Sequence, residues 1–182
     1  MILEDFSLIK RAVDRVFIHC TASSNGGYGV EEIRRDHRAL GWDDIGYHFL
    51  INFNGVLQRG RPLKQDPAAQ RGHNTGTIAI CLQGLEVEDF TQFQFETLRE
   101  LCEKIDQDIS PHRKDRVTFH GHCEVANKLC PVFDYKSVLN LTEEGFLPNR
   151  SDPISNDPFS KLNSLVTDLQ REIEILRRRG DG

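Results

Sequence analysis

The sequence predicts an α/β protein in which helices cover a β-sheet. Segments rich in β-branched and aromatic residues, which favour strands, alternate along the chain with segments whose apolar residues recur at helical spacing. Strands mixed with helices pack as a sheet with helices on its faces. The length of 182 residues suits one domain with a short appendage, and 38% apolar residues are enough to build a core.

The first predicted strand carries one side chain of chemical interest. Residues 15–20, Arg-Val-Phe-Ile-His-Cys, are predicted to form a buried strand. Because successive side chains of a strand point to opposite faces, we expect His19 to face away from Ile18 and Cys20. After a loop of serines and glycines, apolar residues at helical spacing predict a helix over 30–40.

A hairpin is predicted next. A strand over 47–53 leads through Asn54-Gly55, a strong signal of a two-residue turn, into a partner strand over 56–58. Two further strands are predicted over 77–82 and 116–119.

A second helix is predicted from its first turn onwards. Thr91 is followed three residues later by Gln94, which resembles a capping box in which each side chain binds the backbone of the other residue. Apolar residues then continue at helical spacing as Phe95, Leu98, Cys102 and Ile105. This spacing predicts a helix over 92–105.

The composition changes near residue 147. Residues 143–157 are rich in Pro, Asn, Ser and Asp and are predicted to link a domain over 1–142 to a helix over 158–182. The apolar residues of that helix alternate at spacings of three and four, which predicts a coiled-coil-like heptad seam. We expect residues 158–179 either to join copies of the chain into a homo-oligomer, such as a parallel dimer or a larger bundle, or to dock on the chain's own domain.

The composition argues against several kinds of partner. There are 23 Lys and Arg against 28 Asp and Glu, and the resulting net charge of -5 gives no general field for nucleic acid. No apolar run approaches the roughly 18 residues that span a bilayer, and the first residues lack the pattern of a secretory signal. We therefore expect folding in the cytoplasm, no membrane contact, and five reduced cysteines that are candidates for metal ligands rather than for disulfides.

Groups that bind metals or transfer protons are concentrated in residues 120–130, His-Gly-His-Cys-Glu-Val-Ala-Asn-Lys-Leu-Cys, directly after a predicted strand. A catalytic zinc site needs three protein ligands and one open position, and His and Cys are suitable donors. His122 and Cys130 are candidate ligands from this segment, and His19 is a candidate third. The spacing matches neither CxxC nor HExxH, so from spacing alone a structural role for these residues is the alternative.

Five motifs follow one another along residues 15–141. They are Phe-Ile-His-Cys-Thr-Ala at 17–22, Glu-Ile-Arg-Arg-Asp-His at 32–37, Gly-Trp-Asp-Asp-Ile-Gly-Tyr-His-Phe at 41–49, Gly-His-Asn at 72–74 before the strand at 77–82, and His-Cys-Glu-Val-Ala-Asn-Lys-Leu-Cys-Pro at 122–131. In this order the motifs resemble the type 2 N-acetylmuramoyl-L-alanine amidases, a zinc-dependent family that shares its fold with the peptidoglycan recognition proteins.

The resemblance implies a mixed central β-sheet flanked by helices. It also implies an enzyme that cleaves the amide bond between N-acetylmuramic acid and L-alanine in bacterial peptidoglycan. By the same resemblance, His19, His122 and Cys130 bind Zn²⁺, and Tyr47 and Lys128 assist at the catalytic centre.

The sequence departs from the family pattern at residues 69–74, Ala-Gln-Arg-Gly-His-Asn, where phage relatives often carry a histidine before the glycine. His73 and Asn74 in this segment are expected either to bind sugar or peptide or to shape their loop. A second departure is Cys123, which stands beside a predicted zinc ligand where a histidine or arginine is common.

Several other reactive residues are expected to be structural. His37 and His48 match family positions, but we expect them to hold the scaffold by hydrogen bonds. Trp42 is expected to fill the core, with a place lining the cleft as the alternative. The core thiols are expected to be Cys20, Cys81 and Cys102. For proton transfer, the family-matched pair of Tyr47 and Lys128 ranks ahead of the local alternatives, Glu124 and His120.

An enzyme without a secretion signal that acts on the cell wall suits a phage or prophage endolysin, made in the cytoplasm and released late. Three alternatives are open at this point. The first is a non-catalytic peptidoglycan-binding module, which would be expected to lack the cysteine ligand. The second is an intracellular amidase that recycles anhydro-muropeptides. The third, by resemblance alone, is added contact with an RNA polymerase, a property of one phage relative.

Overall fold

A computed structural model describes residues 5–112 and 116–148 of the chain. Most of the predicted linker, the predicted helix over 158–182 and the homo-oligomer predicted through it lie outside the described residues. Within the described ranges, no helix is both long enough and apolar enough to cross a bilayer.

A mixed β-sheet of five strands forms the centre of the part of the chain that the structure describes. The strands are β1 (Arg15–Cys20), β2 (Phe49–Ile51), β3 (Leu57–Arg59), β4 (Thr77–Leu82) and β5 (Thr118–Gly121). Their order across the sheet is β3-β2-β4-β1-β5. β3 runs antiparallel to β2, whereas the other neighbouring pairs are parallel. The predicted mixed central sheet is therefore confirmed.

Three α-helices accompany the sheet in the described residues. They are α1 (Val30–Ala39), α2 (Gln92–Ile109) and α3 (Tyr135–Leu139). The predicted capping box is present, because the Thr91 hydroxyl accepts from the Gln94 N–H at 3.3 Å and the Gln94 carboxamide accepts from the Thr91 N–H at 3.0 Å. α2 is one turn longer than predicted, since Ile109 continues the buried stripe four residues after Ile105.

The two faces of the sheet bury different residues. We call the first the α2 face, where strand residues pack against α2, and its members include Val16, Ile18, Ile78, Ile80, Leu98, Leu101, Cys102 and Ile105. We call the second the α1 face, where α1 packs over the sheet, and its buried members include Val30, Ile33, Ile45, Leu50 and Cys81. Cys20 and Cys102 lie in the first core and Cys81 in the second, which confirms the predicted core thiols.

The turn between β2 and β3 differs from the predicted two-residue hairpin. The Asn52 N–H donates to the Val56 carbonyl at 3.1 Å, which leaves three residues in the loop. Gly55 ends that loop with a φ of 75°, a left-handed conformation that glycine adopts without strain. The hairpin itself is confirmed, but its turn is one residue longer because the Asn52 side chain accepts from the backbone N–H groups of Asn54 and Val56.

The last strand begins two residues later than predicted. The Val117 N–H donates to the Ser110 hydroxyl at 3.2 Å, so it is not available to the sheet. Beyond β5, the Gly145 carbonyl accepts from the Phe119 N–H at 2.8 Å, and Leu147 is buried. The packed unit therefore continues through the first residues of the predicted linker and ends at Leu147.

Candidate metal centre and active site

Two adjacent parallel strands bring His19 and His122 together. β1 and β5 pair with Ile18 opposite Gly121, so the next residue of each chain segment lies at the same level. Neighbouring strands are about 4.8 Å apart. The rings of His19 and His122 accordingly have their centroids 4.6 Å apart, and both side chains are buried.

Gly121 allows the turn that presents His122. A Cβ atom at Gly121 would lie 2.5 Å from the ring of Tyr135, so a larger residue would displace that ring or the turn. The Tyr135 hydroxyl donates to the Glu124 carboxylate, whose other oxygen is 2.7 Å from Nδ1 of His120. Although burial opposes it, hydrogen bonding to Tyr135 and His120 lowers the pKa of Glu124. Glu124 and His120 thus hold this segment by binding each other and their neighbours.

Cys130 reaches the two histidines from the far end of the same segment. The Cys130 carbonyl accepts from the Cys123 N–H at 2.7 Å, which closes the segment into a loop. The Cys130 Sγ accepts from the Cys20 N–H at 3.2 Å and lies 3.9 Å from Nδ1 of His19. β1 therefore carries the His19 side chain, and the Cys20 N–H of the same strand positions the thiol of Cys130.

The three predicted ligands form one compact cluster. One ligand atom from each of His19, His122 and Cys130 lies within 4.8 Å of the others. Across residues 5–112 and 116–148, this is the one group of three such side chains close enough together to hold a metal ion. The structure thus brings together the three residues that the sequence offered as candidate ligands from distant parts of the chain.

The electrostatics of the cluster fit a bound cation. Burial and the neighbouring His122 lower the pKa of His19 to about 3, and burial together with Lys128 lowers the pKa of His122. Both imidazoles are therefore neutral at neutral pH, the form that binds metals. The adjacent Cys20 thiol and burial raise the pKa of Cys130, so a thiolate there requires a nearby cation. Two neutral imidazoles and one thiol are a donor set that suits Zn²⁺.

Tyr47 and Lys128 both lie beside the cluster. The ring of Tyr47 has its centroid 5.2 Å from that of His19. Burial raises the pKa of Tyr47 well above its ordinary value, so its hydroxyl keeps its proton at neutral pH. Lys128 is exposed, and its positive charge lowers the pKa of His19 and His122, the two candidate histidine ligands. The site thus combines a buried hydroxyl donor with a cation at its rim.

The predicted scaffold histidines are held by hydrogen bonds, as expected. Nδ1 of His37 accepts from the Gly46 N–H at 3.0 Å, and Nδ1 of His48 accepts from the Ala79 N–H at 3.0 Å. Of the two places expected for Trp42, the core is wrong, because the residue is 40% exposed. Its ring packs on His37 with centroids 4.4 Å apart, and His37 in turn lies 5.7 Å from Tyr47.

The loop over residues 69–76 holds one residue near the cluster that sequence reasoning did not assign to the site. Gln70 is fully buried, and its Oε1 lies 3.1 Å from Nε2 of His19. Asn74 shapes this loop, because its Oδ1 accepts from two backbone N–H groups, and His73 is exposed on it. The one signal for Gln70 in the sequence is its place in the segment that departs from the family pattern.

Comparisons with known proteins agree with this geometry. The family model described as N-acetylmuramoyl-L-alanine amidase matches residues 9–133. The endolysin of Escherichia phage T7 is 33% identical over 135 residues, which are 70% of this chain and 85% of the phage protein.

Solved structures share the fold. The N-acetylmuramoyl-L-alanine amidase LysC from Clostridium intestinale has a TM-score of 0.63 at 23% identity, over 74% of this chain and 86% of LysC. Peptidoglycan recognition protein LE, in complex with tracheal cytotoxin, a monomeric diaminopimelic acid-type peptidoglycan, has a TM-score of 0.63 at 22% identity, over 76% of this chain and 85% of that protein. The family match covers more than half of the chain and the whole candidate site, so this chain belongs to the N-acetylmuramoyl-L-alanine amidase family and is a peptidoglycan hydrolase.

Proposed function

We propose that this chain hydrolyses the amide bond between N-acetylmuramic acid and the L-alanine of the stem peptide, using one Zn²⁺ bound by His19, His122 and Cys130. The observation that carries the proposal is the convergence of these three ligand atoms within 4.8 Å of one another, inside a domain of the amidase family. When bound, Zn²⁺ supplies Lewis acidity that activates a water molecule and polarises the scissile carbonyl.

Tyr47 is the proposed hydrogen-bond donor to the carbonyl oxygen. Negative charge develops on that oxygen as the amide is attacked, and a protonated hydroxyl held next to it stabilises the charge. Burial keeps the pKa of Tyr47 high, which supports the role of donor over that of base. Its ring lies beside the proposed metal ligand His19, with the two ring centroids 5.2 Å apart, which supports a role at the site.

Lys128 is proposed to act through its charge. An ammonium at the exposed edge of the site stabilises the developing oxyanion and can donate a proton to the amine that leaves. Glu124 and His120 are less suited to these steps, because they bind each other and the hydroxyls of Tyr135 and Thr118. Tyr47 and Lys128 therefore remain the preferred pair.

The substrate is proposed to lie over the α1 face next to the cluster. Trp42, His37 and Tyr47 form a row of rings that leads towards His19, and an exposed tryptophan provides a surface for a sugar or peptide. His73 is the exposed candidate on the neighbouring loop. Asn74 contributes by setting the shape of that loop, and contact of either residue with substrate stays a prediction.

The relatives support an endolysin as the biological setting. The phage T7 relative is an endolysin, and we propose that this chain likewise attacks the cell wall after its release from the cytoplasm. Activity on intact sacculi is expected to exceed activity on soluble anhydro-muropeptides. The reverse preference would favour an amidase that recycles wall fragments.

The test of the proposal combines one ligand substitution with product analysis. Cys130→Ser is expected to abolish both the zinc content, measured by elemental analysis, and the digestion of sacculi. Cys123→Ser is the matched control, because Cys123 is an exposed thiol in the same loop, and it should keep both. Mass spectrometry of the wild-type digest should find free L-alanine amino ends. Full activity in Cys130→Ser, or new reducing sugar ends in the digest, would contradict the proposal.

A further inference from the structure

Gln70 is a buried polar side chain whose amide has a partner on every side. Its Nε2 lies 2.7 Å from the Thr77 hydroxyl and 3.4 Å from the His73 carbonyl, and its Oε1 lies 3.1 Å from Nε2 of His19. The side chain is fully buried, so water does not compete for these contacts. The amide therefore links a metal-ligand candidate to the start of β4.

The orientation of this amide follows from its neighbours. The Thr77 hydroxyl donates its single proton to the Asn74 carbonyl at 2.7 Å, so towards Gln70 it can only accept. The His73 carbonyl is also an acceptor. The group of Gln70 that faces these two oxygens must therefore be the NH₂ group, and its carbonyl oxygen must face His19.

A carbonyl oxygen opposite Nε2 fixes the proton of the His19 ring. Since Oε1 of Gln70 has no hydrogen, the contact is a hydrogen bond only when Nε2 of His19 carries the proton and donates it. A neutral imidazole has one N–H, so Nδ1 is then the nitrogen with a free lone pair. Nδ1 is also the atom of His19 that faces the Sγ of Cys130, at 3.9 Å.

The loop around Gln70 is held before any ligand binds. Oδ1 of Asn74 accepts from the backbone N–H groups of Ala69 and Gln70 at 3.1 and 3.0 Å. The backbone carbonyl of Gln70 accepts from the His73 N–H at 2.9 Å. The position of Oε1 is thus set by the loop backbone and by Thr77. An acceptor that is fixed in this way can orient the His19 ring as well as select its tautomer.

We propose that Gln70 is a positioning residue, which holds His19 in the tautomer protonated at Nε2 so that Nδ1 is presented to the metal. This inference rests on the proposed zinc ligation by His19. Groups that bind the far nitrogen of a histidine ligand contribute roughly 10- to 100-fold to metal affinity. Removal of the Gln70 amide is therefore expected to raise the Kd for Zn²⁺ by a factor within that range.

The experiment compares two buried glutamines. Gln70→Leu removes the amide beside His19, whereas Gln94→Leu removes an equally buried amide that binds the Ile51 and Gln83 carbonyls. Zn²⁺ is titrated into the metal-free full chain against a chromophoric chelator, and thermal unfolding is followed in parallel. Both variants are expected to lose stability, but only Gln70→Leu should bind Zn²⁺ more weakly. Equal Zn²⁺ affinity in Gln70→Leu and wild type would overturn the inference.

Two further measurements remove the ambiguity of a variant that folds poorly. Gln70→Glu keeps an acceptor oxygen opposite Nε2, and as a protonated carboxyl it also donates to the acceptors Thr77 and His73, so it is expected to recover Zn²⁺ affinity relative to Gln70→Leu. Long-range ¹H–¹⁵N spectra of the metal-free wild type should show His19 protonated at Nε2, and protonation at Nδ1 would overturn the inference without any variant. Wild-type protein that takes up no Zn²⁺ would instead overturn the proposed ligand set, so the two failures are distinguishable.

Discussion

The two faces of the central sheet place the same strand in opposite chemical environments. On the α2 face, Ile18 packs among aliphatic side chains, and on the α1 face the next residue, His19, binds the Gln70 amide. A shift of β1 by one residue would exchange these two sets of side chains, so the apolar face fixes the register on which the site depends. The α2 face thus buries mainly apolar side chains, whereas the α1 face combines an apolar core with the polar groups of the candidate site.

The largest expected effect is a loss of stability without a loss of activity, after a substitution in the core of the α2 face. Leu101 is fully buried in α2, and Leu101→Ala is expected to lower the free energy of unfolding by about 2 to 5 kcal/mol. Denaturant unfolding measures this loss, and the kcat of the folded protein should stay close to the wild-type value.

The matched control for Leu101→Ala is a leucine beside the site. Leu129 is 85% exposed and lies between Lys128 and Cys130, so Leu129→Ala should change the free energy of unfolding by less than about 0.5 kcal/mol. A loss of stability in Leu129→Ala as large as that in Leu101→Ala would contradict the view that burial in the α2 core sets the cost of losing a leucine side chain.

A loss of activity is expected from the removal of the Tyr47 hydroxyl on the α1 face. Tyr47→Phe keeps the ring against His19 but removes the hydroxyl, and kcat should fall by roughly 100- to 1000-fold with little change in zinc content. Tyr28→Phe is the control, because Tyr28 packs on the same core but donates its hydroxyl to Asp36 at 2.6 Å. Steady-state kinetics on solubilised peptidoglycan gives both values, and an unchanged kcat in Tyr47→Phe would exclude its hydroxyl from the reaction.

How much of this arrangement could be predicted depends on how local its cause is. The direction of His19 follows from the period of two within β1, and the capping box of α2 spans only four residues, so both were predicted correctly. The three zinc-ligand candidates came from motifs, since their spacing alone was inconclusive. The turn after β2 was predicted one residue too short, because the Asn52 side chain and the close approach of Phe93 to Gly55 shape it.

The residues that sequence reasoning missed or misplaced depend on non-local packing. Gln70 belongs to the site only because the start of β4 lies beside β1, a pairing that its own segment does not encode. Trp42 is 40% exposed and its ring packs on that of His37, which itself binds the Gly46 N–H, so Trp42 does not fill the core. Neither outcome is visible in the hydrophobic pattern of the chain.

The pH dependence of stability is expected to come from His48, a buried histidine directly before β2. Burial lowers the pKa of His48 from 6.5 to about 4, so the folded state disfavours its charged form. This contribution to stability is fully present above pH 6.5 and is lost as the pH falls towards 4. Over that window it amounts to about 3 kcal/mol, at about 1.4 kcal/mol per pKa unit.

His48→Gln isolates this contribution, because all other groups titrate in both proteins. The difference in the free energy of unfolding between wild type and His48→Gln should shrink as the pH is lowered from 7 to 4. Urea unfolding at several pH values measures it. Parallel pH curves for the two proteins would place the acid sensitivity elsewhere.

The smallest expected effect tests whether the α2 face depends on apolar packing alone. The Thr91 hydroxyl accepts from the Gln94 N–H and donates to the Phe53 carbonyl at 2.7 Å, so it caps α2 and ties it to the loop after β2. Thr91→Ala should lower the free energy of unfolding by about 1 kcal/mol, and Thr91→Ser should recover most of that loss. Zinc affinity should not change in either variant, because the cap does not touch the site. A weaker affinity in Thr91→Ala would mean that the helix on one face and the metal ligands on the other are coupled through the sheet, and the two faces would then have to be treated as one cooperative unit.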